Sequence, residues 1–309
     1  MQKNLTTLSE VSNQVEALNR DCHDALVDVP AISFESLNTM KIGDERHTLR
    51  IVAQRSIAWR LGIPFNYLAK CPADLQAEQM NHWIKHEKRE QWFIRFSGCE
   101  VRAVFTPRYK PVDNFEILVR LDEMGYTPDT QVQCHHDAEF MLLSIPDGKR
   151  SFKIGTDKMT PGISVSNSEV GLASLSVSAF LLVLRCTNGM ISKTEISASY
   201  RHVSTKILTE LPHVFEKVAD GLGKQKDRLK ISLESPVADP LATIERFNRQ
   251  FALGEREKEA VAWAWPQEAG ENMFAVVNTY TRAAAMEGLP AESSFRLQRV
   301  GGEVLGMLQ

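Results

Sequence analysis

WFIRFSGCEVRAVF, residues 92–105, decides the fold class. Its two arms, Trp92 to Phe96 and Val101 to Phe105, are rich in β-branched and aromatic side chains. The four residues SGCE between them are short enough to reverse the chain, so a β-hairpin is expected, with Arg102 on one face and Val101, Ala103 and Phe105 on the other. The loop that follows, TPRYKPVD, holds two prolines and cannot be a strand interior.

Working outward, Ile51, Ile57, Ala58 and Leu61 fall at helical spacing, and Gly62 with Pro64 ends that helix. A short helix near Phe65 to Ala69 follows, and Pro72, Ala73 and Asp74 open a third that runs through Met80, Trp83 and Ile84. On the other side of the hairpin, Asp113 caps a helix carrying Phe115, Ile117, Leu118, Leu121 and Met124, which Gly125 terminates. Strands are expected at residues 131–134, 139–145 and 152–154, and GISVSNSEVG (162–171) and LSVS (175–178) continue a β-rich half. AFLLVLRCTNGM, residues 179–190, reads as a helix ended by Asn188 and Gly189. The first 20 residues read as a frayed helix, and the next stretch as an irregular or β lead-in. A long helix is expected over 204–228, then a proline-containing break at 234–240 and three or four helices to the end. The fold class is therefore α+β: a β-rich central region packed with helices, followed by an all-helical C-terminal part. The expected organisation is a lead-in over 1–50, an α+β core over 51–235 and a helical region over 236–309.

Composition narrows the function classes. Hydrophobic residues make up 43% of the 309, enough for a buried core, yet the longest apolar run, near Ala179 to Leu184, is far short of the roughly 20 residues that cross a bilayer. The start of the chain lacks the charged and apolar regions of a secretion signal. Five scattered cysteines, Cys22, Cys71, Cys99, Cys134 and Cys186, form no Cys-x-x-Cys pair and read as reduced thiols. A cytoplasmic chain without a membrane partner is expected. The net charge of −3 hides an asymmetry: Lys41 to Arg120 holds 14 Lys/Arg against 9 Asp/Glu, a balance of +5, whereas Glu234 to Gln309 holds 7 against 11, a balance of −4.

Motifs for phosphate-cradling loops and for the nucleophile elbow of α/β-hydrolases are absent. Cys134, His135, His136 and Asp137 are adjacent potential ligands, but successive strand residues point to opposite faces, so no metal and no other cofactor is expected. His82 and His86 share a helix face without the glutamate of a metalloprotease motif, which reads as a solvated face. Arg102, Arg108, Tyr109 and Lys110 place cationic donors beside a ring on which a base could stack. Tyr200, Arg201, His202 and Lys206 put cations at a helix start, where they do not serve the helix dipole and instead suit an external anion.

GISVSNSEVG, LSVSAFLLVLRCTNGM (175–190), SYRHVSTK (199–206), VRAVFTPRYKPVDNFEIL (101–118) and NMFAVVNTYTRAA (272–284) together resemble the phage/plasmid-like proteins classed as a domain of unknown function. That resemblance implies a home on mobile DNA and a role in replication, recombination or host takeover. The order of helix and strands from 124 onward is also similar to the core of the ring-forming single-strand annealing proteins Red-beta, Erf and Sak, an analogy of fold alone. The expected function is a non-enzymatic, homo-oligomeric protein that binds and anneals single-stranded DNA. Its expected contacts are Arg102, Arg108, Tyr109, Lys110, Arg185, Arg201, His202 and Lys206. Two rivals stand beside it: a metal-dependent nuclease or nucleotide-processing enzyme using Asp137, Glu139 and Glu169 with His135 or His202, and an interaction protein that binds a host or phage partner through its acidic helical end.

Overall fold

The computed structural model describes residues 5–154, 157–183, 188–192, 198–200, 209–213, 215–216 and 223–308. It has two sheets and an all-helical C-terminal part, an α+β architecture. The first sheet contains β2 (Cys22–Asp28), β3 (Ile32–Ser36), β4 (Thr39–Ile42), β5 (Glu45–Leu49), β6 (Gln91–Ser97) and β7 (Glu100–Phe105), in the order β2-β6-β7-β5-β4-β3. The expected hairpin is β6–β7, antiparallel, with Ser97 opposite Glu100 and Gly98 in the turn at φ 55°. Only glycine adopts that backbone without strain. Helices α2 (Ile51–Arg60), α3 (Phe65–Leu68) and α4 (Ala73–Ile84) cover one face of this sheet and share a core with Trp92, Ile94, Val101 and Val104.

The lead-in thus supplies four strands to this sheet. At its far edge, helix α4 seals β3 with side-chain amides: Asn81 accepts from the Phe34 N–H and donates to the Phe34 carbonyl, both at 2.8 Å, and Gln76 accepts from the Leu37 N–H at 2.9 Å. Among the described residues no strand pairs with the outer side of β2.

The second sheet runs β1 (Thr6–Thr7), β8 (Gln131–His136), β9 (Met141–Pro146), β11 (Asp157–Asn167), β12 (Leu175–Val183), β13 (Asn188–Ser192), with β10 (Phe152–Ile154) also on β11 and β14 (Ala198–Tyr200) also on β12. On one face lie α1 (Leu8–Asn19) and α5 (Asn114–Glu123), whose Val11, Val15, Ile117 and Leu121 pack with Val132, Leu143, Val165 and Val177. The first helix is not frayed: Thr7 and Glu10 form a capping box, and Leu8, Val11 and Val15 are buried. The other face meets the C-terminal helices, among them Met273–Ala283 and Ala291–Gly306.

One expected element differs. Ala179 to Val183 continues strand β12, and Asn188 to Ser192 is the strand paired with it, where a helix is expected. The reason is burial on both sides: Ala179 packs toward α1 and α5, while Phe180 and Leu182 pack toward Phe140 and Ala291. A strand covered on both faces reads as a continuous apolar run, which period alone does not separate from a buried helix. Most of the helix expected over 204–228 lies outside the described residues. Four helices follow Pro240, and no strand does among the described residues.

Candidate functional site

Each sheet has its own apolar core, and buried ion pairs join the two. Arg95 on β6 is 3% exposed; its Nε donates to Asp24 Oδ1 at 2.9 Å, one terminal nitrogen to Asp113 Oδ1 at 2.5 Å, and the other to the Glu169 carbonyl at 3.1 Å. Burial alone would weaken its charge, but the Asp113 and Asp24 carboxylates outweigh this and hold its pKa above the usual arginine value. Arg102 on β7 donates to Glu169 Oε2 at 2.7 Å and to Cys22 Sγ at 2.9 Å, and both members of the Arg102–Glu169 pair are almost dehydrated. The second Glu169 oxygen accepts the Asn114 N–H, the first amide of α5, at 2.8 Å. Burial works to raise the Glu169 carboxyl, yet the Asn114 amide and the Arg102 guanidinium hold it below its ordinary value.

A cleft of about 230 Å³ opens beside this junction, lined by Arg50, Arg102, His136, Asp137, Glu139 and Glu169 among others. The structure therefore gathers the carboxylates of the enzyme reading. It also engages two of them. Asp137 Oδ1 accepts from the Glu139 and Phe140 amides, and Oδ2 accepts the Ala291 N–H at the start of the helix Ala291–Gly306. With the oxygens of Asp137 and Glu169 taken by amides and Arg102, the arrangement is built to join elements. Among the described residues no group of three or more His, Cys, Asp or Glu is placed to hold a metal.

His135 and His136 sit on alternate sides of β8, as the strand period requires: His136 reaches the cleft, whereas His135 turns away, its Nε2 enclosed without a hydrogen-bond partner. Burial pushes the His135 imidazole down to about 4. A histidine that folds neutral and unfolds with an ordinary pKa contributes stability that is complete above about 6.5 and is lost as pH falls toward 4. Part of the residue stays accessible, so a loss of about 2 kcal/mol is expected rather than the full value of the shift. Glu139, raised by burial, acts in the opposite direction. Urea unfolding between pH 7 and 4 checks this against His135→Gln: the variant should lose part of the pH dependence, and parallel curves would show that His135 contributes none.

The expected contacts divide three ways. Arg108 and Lys110 are exposed in the loop after β7. Arg102 is held by Glu169, and Tyr109 is buried with one ring face stacked on Phe105 at 3.7 Å between centroids, so both are engaged within the fold. Arg185, Arg201, His202 and Lys206 lie outside the described residues.

A different set of rings is open. Trp59 is 79% exposed, Tyr67 52% and Trp83 47%. They stand on the three successive helices, α2, α3 and α4, that cover the first sheet. Arg55, one turn before Trp59, lies over the Phe65 ring at 5.4 Å; Tyr67 follows Phe65 in α3; and Gln79, one turn before Trp83, donates to the Tyr67 hydroxyl at 3.1 Å. Ser56 and Arg60 of α2 both donate to the Val104 carbonyl at the end of β7, which ties α2 to the strand that leads into the cationic loop. Trp59 was legible in principle, since it stands off the face that Ile57, Ala58 and Leu61 define. Trp83 was not, because it shares a helical face with buried Met80 and Ile84.

No family model, curated protein or solved structure matches the chain. The reading of the site therefore rests on its chemistry. No helix among the described residues is long and apolar enough to cross a membrane.

Proposed function

We propose that this chain is a non-enzymatic single-stranded DNA-binding protein of a phage or plasmid, acting in strand annealing or protection in the bacterial cytoplasm. The observation that carries the reading is the set of exposed rings Trp59, Tyr67 and Trp83 on α2, α3 and α4, with Arg55 on α2 and with Arg108 and Lys110 exposed in the loop after β7. Isolated exposed rings are ordinary, but three on one helical layer, together with exposed cations, suit a partner that offers flat rings and negative charge. Unpaired bases stack on such rings whatever their sequence, and the cations neutralise the backbone phosphates. The +5 balance of the segment from Lys41 to Arg120 supports the same partner. So do the motifs that resemble the phage/plasmid-like proteins. Pairing with a second copy fits the outer side of β2, on which no strand lies among the described residues.

Intrinsic tryptophan fluorescence titrated with oligothymidylate tests the reading. Binding should weaken steadily as salt rises. Trp59→Ala should cost about 1 to 3 kcal/mol, and Arg108→Ala and Lys110→Ala should each flatten the salt slope by about 0.7. Absence of binding by the wild type at low salt sinks the proposal; protein capture that depends on Trp59 without DNA binding would assign these rings to a protein partner.

A further inference from the structure

Loops normally run over the surface, because buried backbone needs partners that loops seldom find. The turn between β11 and β12 departs from this. Ser168, Glu169 and Val170 are all buried between the two sheets. Almost all that holds them is polar. Besides its two carboxylate bonds, Glu169 accepts at its carbonyl from Arg95 and, at 3.5 Å, from the Tyr109 hydroxyl, and Ser168 donates to the Glu139 carbonyl at 2.8 Å. Val170 is the one apolar side chain of the three.

Polar groups of this kind regain water when they separate, so each bond contributes little net free energy, whereas the apolar cores on either side lose theirs outright. The loop is thereby the weakest connection between two stronger bodies. Its backbone is set for this: Gly171 takes φ +87°, and its Cα lies so close to Phe105 that an added Cβ would stand 2.7 Å from the ring.

We propose that residues 168–174 form an ionic latch that opens as a unit, below the free energy of global unfolding, and releases the guanidinium of Arg102 from Glu169, while Arg95 stays paired with Asp24 and Asp113. Arg102 would join Arg108 and Lys110, which flank Tyr109, so the latch deepens the DNA-binding reading by setting whether that face presents this further cation. Closed, it holds Arg102 out of reach.

Native-state hydrogen exchange on the free chain tests it, with no DNA present. The Leu172 amide, bonded to Ser168 Oγ, and the Asn114 amide, bonded to Glu169, report the latch; strand amides of β6 and β11 report the cores. In Glu169→Gln, which keeps the acceptor for Asn114 and removes the charge facing Arg102, the latch amides should exchange at least about tenfold faster while the core amides stay within about twofold. Gly171→Ala should do the same by strain against Phe105, and serves if the first variant does not fold. Acceleration of all four regions together, or of none, overturns the latch. Because DNA is absent, that result leaves the DNA-binding reading standing, and failure to bind DNA leaves the exchange result intact.

Discussion

Gly162→Ala is expected to lower stability by about 3 kcal/mol or more. Gly162 lies in β11 opposite Pro146 on one side and Phe180 on the other. A Cβ there would be driven into the Ile145 carbonyl oxygen and come within 2.8 Å of the Pro146 Cα. Both obstacles are backbone, so no rotamer change relieves them, and β9 must move away from β11. That shift would spoil the pairing of Ile163 with Ile145 and Val165 with Leu143, all core residues. Gly148→Ala is the control: nothing lies within 4 Å of its Cβ position, and a change within about 0.5 kcal/mol is expected. Urea midpoints of the two variants decide it, and equal midpoints would show that the β9–β11 approach is not tight.

Arg95→Met should cost about 3 kcal/mol. Removing one member of a buried ion pair leaves the other charge without its partner, which typically costs 3 to 5 kcal/mol; here Asp24 and Asp113 keep some access to water, which places the effect at the lower end. Adding Asp113→Asn to Arg95→Met should recover part of the loss, because the orphaned charge goes with it. Chemical denaturation of the single and double variants measures the coupling. A loss under about 1 kcal/mol for Arg95→Met would mean that the junction is already hydrated.

Local punctuation explains what was legible. Gly62 takes φ 70° after α2, Gly125 takes φ 90° after α5, and Glu116 accepts the Asp113 N–H at the start of α5, so the boundaries of these helices follow from residues a few positions apart. The strand at 179–183 was hidden because an apolar run with both faces covered carries no period. The ionic junction was hidden for another reason. Arg95 and Asp24 are 71 residues apart and Arg102 and Glu169 67, so nothing near either arginine marks it as a core residue, and a basic side chain beside an aromatic loop reads as a surface contact. Tyr109 failed in the same way, since the covering ring of Phe105 becomes visible only when the loop folds back on the strand.

The two borders of the first sheet are unequal. Along β3, the Asn81 and Gln76 amides occupy the Phe34 and Leu37 groups that another strand would use, while among the described residues no strand lies on the outer side of β2. A sheet that can be extended from both sides is a template for endless stacking. One with a single receptive side closes after two copies pair there, because neither then offers a second place to add. Whatever assembly this sheet enters by strand pairing is thereby a closed pair and not a fibre.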